Sequence, residues 1–289
     1  MLDTFSWTTV GKERIAILAR YEPLQPYLLT ELTKSVGAEI FLDIGANIGA
    51  YSVMMASLDC IKTVHAFEPT PLTLGELSAN IGLNPNASKI TVHPVALSDS
   101  EKVATFGIVS DFSGANSIVG TSIHESDKFT NQLDVKCLPL DSVLTFQQRT
   151  LSIKIDVEGH ELPALAGSSG LLTKNRAIIQ IENYDPNDPS LSSLLKSFGY
   201  RMLFYVGPDQ YFSNIPSLNE AEIIAAFSRA STSMISEGFS KDAATSGRPV
   251  RIQFPLGIAM ELSGETAVLA RKARQSLRRP QNRMARRGG

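Results

Sequence analysis

The chain has 289 residues, 43 % of them hydrophobic and 19 % charged, which suffices for one substantial core with appendages. No apolar run reaches bilayer length, and the first twenty residues carry Asp3, Lys12, Glu13 and Arg14 without an apolar core of signal-peptide size, so the sequence reads as a cytoplasmic globular protein with no membrane span. The net charge of −2 hides an asymmetry: eight of the 27 basic residues follow Ala270 with no acid among them, leaving 19 basic against 29 acidic residues before that tail.

Such a basic tail is either a solvated, partly disordered end or a contact for an acidic partner. Cys60 and Cys137 stand alone without metal-ligand spacing, which argues against a zinc site or a disulfide framework. Residues 12–36 predict a helical lead-in, with Pro23 and Pro26 opening its second helix. Strand patterns follow at 39–43 (EIFLD), 63–67 (TVHAF), 90–95 (ITVHPV), 151–157 (LSIKIDV) and 177–182 (AIIQIE). Helix-like segments such as IGAYSVMMASL and PLTLGELSANIGLN lie between them. Strands spaced this way need right-handed crossovers, which predicts an α/β fold with a doubly wound, Rossmann-like and mostly parallel sheet. After Phe198, GYRMLFY, GPD and QYFSNI predict an antiparallel hairpin closing one edge of that sheet. A helix over 219–229 and a Ser/Thr/Gly-rich loop over 231–247 complete the C-terminal part. The organisation is thus a lead-in over 1–36, an α/β domain over 37–215 and an extension over 216–289 that ends in the basic tail.

Ligands of open α/β sheets sit at the carboxyl ends of the strands. The first such end is FLDIGANIGAYS: Asp43 ends the strand, Gly45 permits a tight turn, Asn47 tolerates left-handed backbone and Gly49 lets the next helix pack closely. Gly45 and Gly49 are four residues apart, whereas the dinucleotide fingerprint spaces its outer glycines by five, and an acid precedes the first glycine by two. That spacing favours a ligand with a cationic amine, held by Asp43, and a carboxylate, held by backbone N–H groups at the helix start, as in the methionine portion of S-adenosylmethionine. A glycine turn that merely joins strand to helix meets the same pattern. The second end, AFEPTP, sets Glu68 directly after a strand and 25 residues beyond Asp43, where a carboxylate can accept hydrogen bonds from both ribose hydroxyls. Thr70 and Pro71 form the cap and first residue of the next helix. In VALSDSE, Ser98 and Asp99 can meet an adenine amino group, or can be a plain turn.

DIGANIGAYS, AFEPTP with the downstream ANIGLN, VALSD, LPLDSVL and above all KIDVEGHELPALAG with its trailing IIQIEN resemble the FkbM family of S-adenosylmethionine-dependent methyltransferases, over roughly residues 39–205. The resemblance implies a class I methyltransferase fold and methyl transfer to a hydroxyl oxygen, with small-molecule or glycan acceptors of the sugar or polyketide type. The lead-in helices and everything after about residue 215 lie outside it.

The eight residues KIDVEGHE put a lysine, three carboxylates and a histidine at the end of a core strand. Alternation sets Ser152, Lys154 and Asp156 on one face and Ile153, Ile155 and Val157 on the other. Charge there costs free energy unless it is paired or used. A hydroxyl is a poor nucleophile at neutral pH, so a base or a metal must draw off its proton. Asp156 or Glu158 is the candidate base, Lys154 the group that orients or polarises the site, and Glu182, ending the next strand with Asn183, a neighbour; a structural lysine–carboxylate cluster capping the sheet is the alternative. His160 is either catalytic or a turn residue, and His65 and His93 read as packing residues. Asp156, Glu182 and Asn183 offer oxygen ligands of the magnesium type, but no further acid completes the set and Lys154 would repel a cation, so the reading is metal-free. The polar stretch 110–130 reads as a lid or acceptor loop with Asn116 and His124.

Nucleic-acid methylation, which could use the basic tail on phosphates, expects an Asn-Pro-Pro-aromatic run or a Pro-Cys pair where DVEG stands, and the sequence has neither. A non-catalytic cofactor-binding partner module is opposed by the presence of all the strand-end acids.

Overall fold

The computed structural model describes residues 2–109, 116–120, 129–185, 188–236, 250–253 and 259–262. Two helices lead in, α1 (Thr9–Tyr21) and α2 (Gln25–Val36), and α2 stops at Gly37, whose left-handed φ of 61° closes the helix. Then follow β1 (Ile40–Ile44), α3 (Ala50–Ala56), β2 (Thr63–Phe67), α4 (Pro71–Gly82), β3 (Ile90–His93), β4 (Ala96–Leu97), β5 (Lys102–Ile108), β6 (Ser117–Ile118) and β7 (Asn131–Leu138). The second half runs α5 (Leu140–Val143), β8 (Thr150–Ile155), α6 (Glu161–Ala166), α7 (Ser169–Lys174), β9 (Arg176–Glu182), α8 (Ser190–Ser197), β10 (Arg201–Val206), β11 (Asp209–Ser213), α9 (Glu220–Ser236), β12 (Val250–Gln253) and β13 (Ala259–Leu262).

The main sheet has the order β13-β12-β10-β11-β9-β8-β1-β2-β3. From β3 to β9 the pairing is parallel, and β11, β10, β12 and β13 continue it antiparallel. Strand order reverses between β1 and β8, so the doubly wound architecture is present and its switch point lies where Asp43 pairs in register with Lys154. The two sheet faces carry separate apolar cores. Phe41, Ile178 and Phe204 pack under α2, α3, α4 and α9, while Leu42, Ile44, Ile153, Ile155, Ile179 and Ile181 pack under α6, α7 and α8. The predicted alternation in β8 therefore holds. Among the described residues no helix is long and apolar enough to cross a membrane.

Three expectations need correction. The β10–β11 hairpin does not close the sheet edge, because β12 pairs with β10 and β13 with β12. Residues 90–95 are not one strand: β3 ends at His93 and the chain crosses into a second sheet of order β4-β7-β5-β6, which the sequence reading lacked. Helix α9 runs to Ser236, beyond the predicted 229 and into the expected loop. The basic tail lies outside the described residues, as do His124 and most of the stretch 110–130.

The lead-in is bolted to the core through α4. Asn80 accepts from the Thr8 amide at 3.1 Å and donates to the Ile48 carbonyl at 3.0 Å, and Asn84 exchanges two hydrogen bonds with the Ser6 backbone. On the same flank α9 packs along α2, with Arg229 bridging Glu31 and Glu222.

Candidate active site

The loop after β1 is held in shape by its neighbours. Gly45 sits at φ 82°, and a Cβ there would lie 1.8 Å from the Asp156 carbonyl oxygen, so the ends of β1 and β8 touch through a contact that only glycine allows. Asn47 is left-handed at φ 48°, as its residue type permits, and Gly49 at φ 89° leaves room for Leu77. Glu68 ties this loop to the next: one carboxylate oxygen accepts from the Asn47 amide at 3.1 Å, the other from the Thr70 amide at 3.0 Å and the Thr70 hydroxyl at 2.6 Å. Thr70 thus caps α4 by position, but its side chain serves Glu68 rather than the helix. Burial raises the Glu68 pKa against these bonds. Asp43 is 1 % exposed, accepts from the Ser52 hydroxyl at 2.6 Å, and is raised by burial while Lys154 pulls the other way. The buried Asn47 Oδ1 has no hydrogen-bond partner. An orphaned acceptor beside Glu68 fits a ligand that brings hydroxyl or amine donors to this loop.

Beside the loop stands the turn after β8. Lys154 is buried, its ammonium 2.7 Å from an Asp156 oxygen and 4.8 Å from the Tyr51 ring centroid. Burial works against its charge, but Asp156, Glu22 and Asp43 outweigh burial and hold its pKa above the usual lysine value. Asp156 suffers the same burial, yet Lys154 and a hydrogen bond from Glu182 keep it ionised. Glu182 consequently holds the proton that the two share: burial and the Asp156 charge push it far above the carboxylate range. Glu158 stands at φ 55°, followed by Gly159 at φ 103°, and burial with Asp156 and Glu161 raises its pKa to about 8. The strained turn is braced by Glu161, which accepts from the amides of Val157 at 3.2 Å and Gly159 at 3.1 Å. Within KIDVEGHE, Lys154 is thus paired with Asp156, and Glu161 serves the backbone of the turn.

The turn also supplies what the sequence reading held to be missing. Glu158 brings a third acid, so that oxygens of Asp156, Glu158 and Glu182 lie within 4.8 Å of one another, a set that could hold a cation if Lys154 released Asp156. Strand alternation cannot vouch for Glu158, because β8 ends at Ile155 and it is the turn, with Glu158 at φ 55°, that carries this carboxyl to the other two.

Sequence reasoning missed the floor of the site as well. The row Asp43, Lys154, Gln180 and Tyr211 runs across four strands in register, and Glu182 faces Asp209 in the next row. Gln180 donates to Asp209 at 2.8 Å and to the Tyr51 hydroxyl at 3.3 Å, and Gln25 donates to Asp209 at 3.2 Å. Tyr51 in turn donates to Glu22 at 2.5 Å. Burial raises Glu22 to about 7 and Asp209 to about 6, with Lys154 opposing in both cases. Glu22 and Gln25 come from the lead-in and Asp209 and Tyr211 from the hairpin. Only a polar residue inside the strand pattern AIIQIE signalled them in the sequence.

The structure does not gather every expected residue. His160 is buried away from the carboxylates, its Nε2 3.0 Å from the Ser98 hydroxyl, with its pKa lowered to about 4 by burial and then by Lys102. Ser98 is fully buried in that contact, and the exposed Asp99 is ion-paired to Lys102 at 2.8 Å, which with Ser98 holds its pKa low. The Ser98–His160 contact pins the end of β4 to the turn before α6. Asn116 accepts from the Val109 amide at 2.8 Å within the second sheet. His65 and His93 stack at the β2–β3 edge with Phe67 and Phe146, as packing residues.

A glycine loop and a charged cluster meeting at the switch point of a doubly wound sheet define a Rossmann-like domain. A family model, the Methyltransferase FkbM domain, matches residues 43–202, and the chain belongs to that family. Among curated relatives, the hexuronic acid methyltransferase AglP of Haloferax volcanii is 28 % identical over 166 residues, covering 52 % of this chain and 59 % of that protein. Methyltransferase sdnD of Sordaria araneosa is 25 % identical over 187 residues, covering 55 % and 72 %. The chain thus spans less than two thirds of the length of AglP. Among solved structures, methyltransferase FkbM from Methylobacillus flagellatus aligns with a TM-score of 0.43 at 20 % identity, covering 61 % of this chain and 43 % of that one.

Proposed function

We propose that the chain uses S-adenosylmethionine to methylate a hydroxyl oxygen of a small molecule or glycan. The observation that carries this reading is the contact between Gly45 and the Asp156 carbonyl, which brings a loop suited to hydroxyl and amine donors against a cluster of titratable side chains. Asn47 and Glu68 would hold the ribose side of the cofactor, Asp43 would complement its amine from beneath the loop, and the bound cofactor supplies an electrophilic methyl group. Glu158 accepts the proton of the acceptor hydroxyl: it is half-buried, and its raised pKa makes its ionised form a stronger base than an ordinary carboxylate. Asp156 is committed to Lys154 and to the Glu182 proton, and so fixes the lysine and the electrostatics of the site. The similarity to AglP, a hexuronic acid methyltransferase, supports a sugar-type acceptor.

The test has two parts. Native mass spectrometry should find S-adenosylmethionine or its demethylated product retained, and calorimetry should show Glu68→Ala binding S-adenosylhomocysteine more weakly by roughly 1.5–3 kcal/mol, the range for hydrogen bonds to a charged group. Equal affinity in that variant would remove Glu68 from the cofactor site. Turnover in EDTA equal to that with magnesium is the result expected of proton transfer to Glu158. Loss in EDTA with recovery on added magnesium would favour a cation among Asp156, Glu158 and Glu182 instead.

A further inference from the structure

Helix α3 starts directly after the glycine loop, and two consecutive residues of its first turn reach the central strands. The Ser52 hydroxyl donates to Asp43 on β1 at 2.6 Å. Tyr51, also buried, sets its ring against the Lys154 ammonium of β8, which lies 4.8 Å from the ring centroid, a separation at which the face of an aromatic ring attracts a cation. The same ammonium lies 2.7 Å from an Asp156 oxygen, so a carboxylate and a ring act on one charge. The ring is itself anchored through its hydroxyl, which donates to Glu22 at 2.5 Å and accepts from Gln180 at 3.3 Å. Glu22 has a fixed place, since its amide donates to the Leu18 carbonyl at 2.7 Å and ends α1. It stands outside residues 43–202, the span of the family match.

We propose that Tyr51 is a positioning residue for methyl transfer, which holds the Lys154 ammonium against Asp156, and that Glu22 acts through Tyr51, so that the lead-in is a working part of the site. This rests on the methyl-transfer reading of the same site, in which the Lys154–Asp156 pair stands beside the base Glu158. Lysine carries a compact charge on a flexible four-carbon stem, so its ammonium has no preferred place unless neighbours give it one. With Asp156 as sole anchor it could swing about a single contact, and the ring takes that freedom away. A tyrosine that only filled the core under α3 would need neither its hydroxyl nor its place against Lys154.

Nuclear magnetic resonance of isotope-labelled lysine in the full chain gives the first readout, with Lys154→Arg assigning the signal. The ring current should displace the Lys154 ammonium protons upfield in the parent and in Tyr51→Phe, which keeps the ring, but not in Tyr51→Leu. A Lys154 signal indifferent to Tyr51→Leu overturns the proposal. The second readout is release of S-adenosylhomocysteine with methyl glucoside, methyl glucosaminide or methyl glucuronide, whichever the parent uses best. Tyr51→Leu should lower kcat at least about tenfold, the effect of losing a desolvated cation–ring contact, with acceptor KM and calorimetric S-adenosylhomocysteine affinity within about twofold of the parent. Tyr51→Phe and Glu22→Ala should each lower kcat about two- to tenfold, the range for one hydrogen bond, and the double variant no further than either alone, because both remove the same bond. Glu22→Gln, whose amide oxygen still accepts from Tyr51, should recover most of that loss. Parental kcat in a folded Tyr51→Leu, a loss confined to KM, or losses that multiply in the double variant each overturn the proposal; if Tyr51→Leu does not fold, Tyr51→Phe and the Glu22 variants decide it. No transfer to any of the three glycosides, or no binding of S-adenosylmethionine by the parent, would instead bring down the methyl-transfer reading beneath it.

Discussion

Glu158 and Gly159 occupy backbone conformations that few side chains accept, and Glu161 holds them there through two amide hydrogen bonds. The strain aims a half-buried carboxyl at Asp156, and the same neighbours give it a pKa of about 8. A base must be ionised to accept a proton, so the methyl-transfer rate should rise with pH through about 8, an apparent value that belongs to the coupled cluster. Glu158→Gln should remove that rise and lower turnover by roughly 10²–10⁴-fold, with calorimetric cofactor affinity unchanged. Normal turnover in Glu158→Gln would eliminate it as the base. Gly45 is a second residue with no latitude. Gly45→Ala must part the β1 and β8 ends, and should cost at least about 2 kcal/mol in denaturant unfolding through overpacking and a strained φ.

At the scale of elements, the parallel strands and their intervening helices were legible because buried parallel strands read as short apolar runs bounded by turns. The second sheet was less so. In β7 the buried Val135 and Cys137 alternate with the exposed Asp134 and Lys136, a readable period of two, whereas in β5 only Phe106 and Gly107 are buried and no alternation stands out. The candidate site was legible at strand ends, where Asp43, Glu68, Lys154 and Asp156 stand as the alternation and turns predict. It was illegible where tertiary packing recruits distant side chains, as with Glu22, Gln25 and Asp209, and where a side chain pairs across elements, as Ser98 does with His160. Nor do local patterns show that α9 shares the core under α2. Phe227 is 3 % exposed and packs edge-on against Phe204 at 5.9 Å between centroids. Phe227→Ala should therefore cost about 3–5 kcal/mol, as for other buried aromatic truncations, in urea unfolding. A loss near zero would show α9 to be an appendage.

For the whole molecule, the acids gathered at the sheet's switch point make folding depend on pH in an unusual direction. Glu22, Glu158, Glu182 and Asp209 keep protons in the folded state at pH values where an unfolded chain, with carboxyls near 4.5 and 3.8, has released them. Because the native state then binds more protons, these acids make stability fall as pH rises from their unfolded values up to about 8 for Glu158 and about 11 for Glu182. Asp156 acts oppositely below its unfolded value of 3.8, and His65, His93 and His160, lowered by burial, act oppositely up to about 6.5, so the fall is expected above that pH. Thermal midpoints should drop between pH 7 and pH 8.5, and Glu182→Gln should flatten the slope; a midpoint that rises would contradict the assigned protonation states. The hydrogen bond from Gln25 to Asp209 joins residues 184 positions apart. At about 5–20 residues per second, a ribosome that has released the lead-in needs roughly 10–40 s more to make its partner, so α2 waits with its apolar side uncovered and the floor of the candidate site forms late in the growth of the nascent chain.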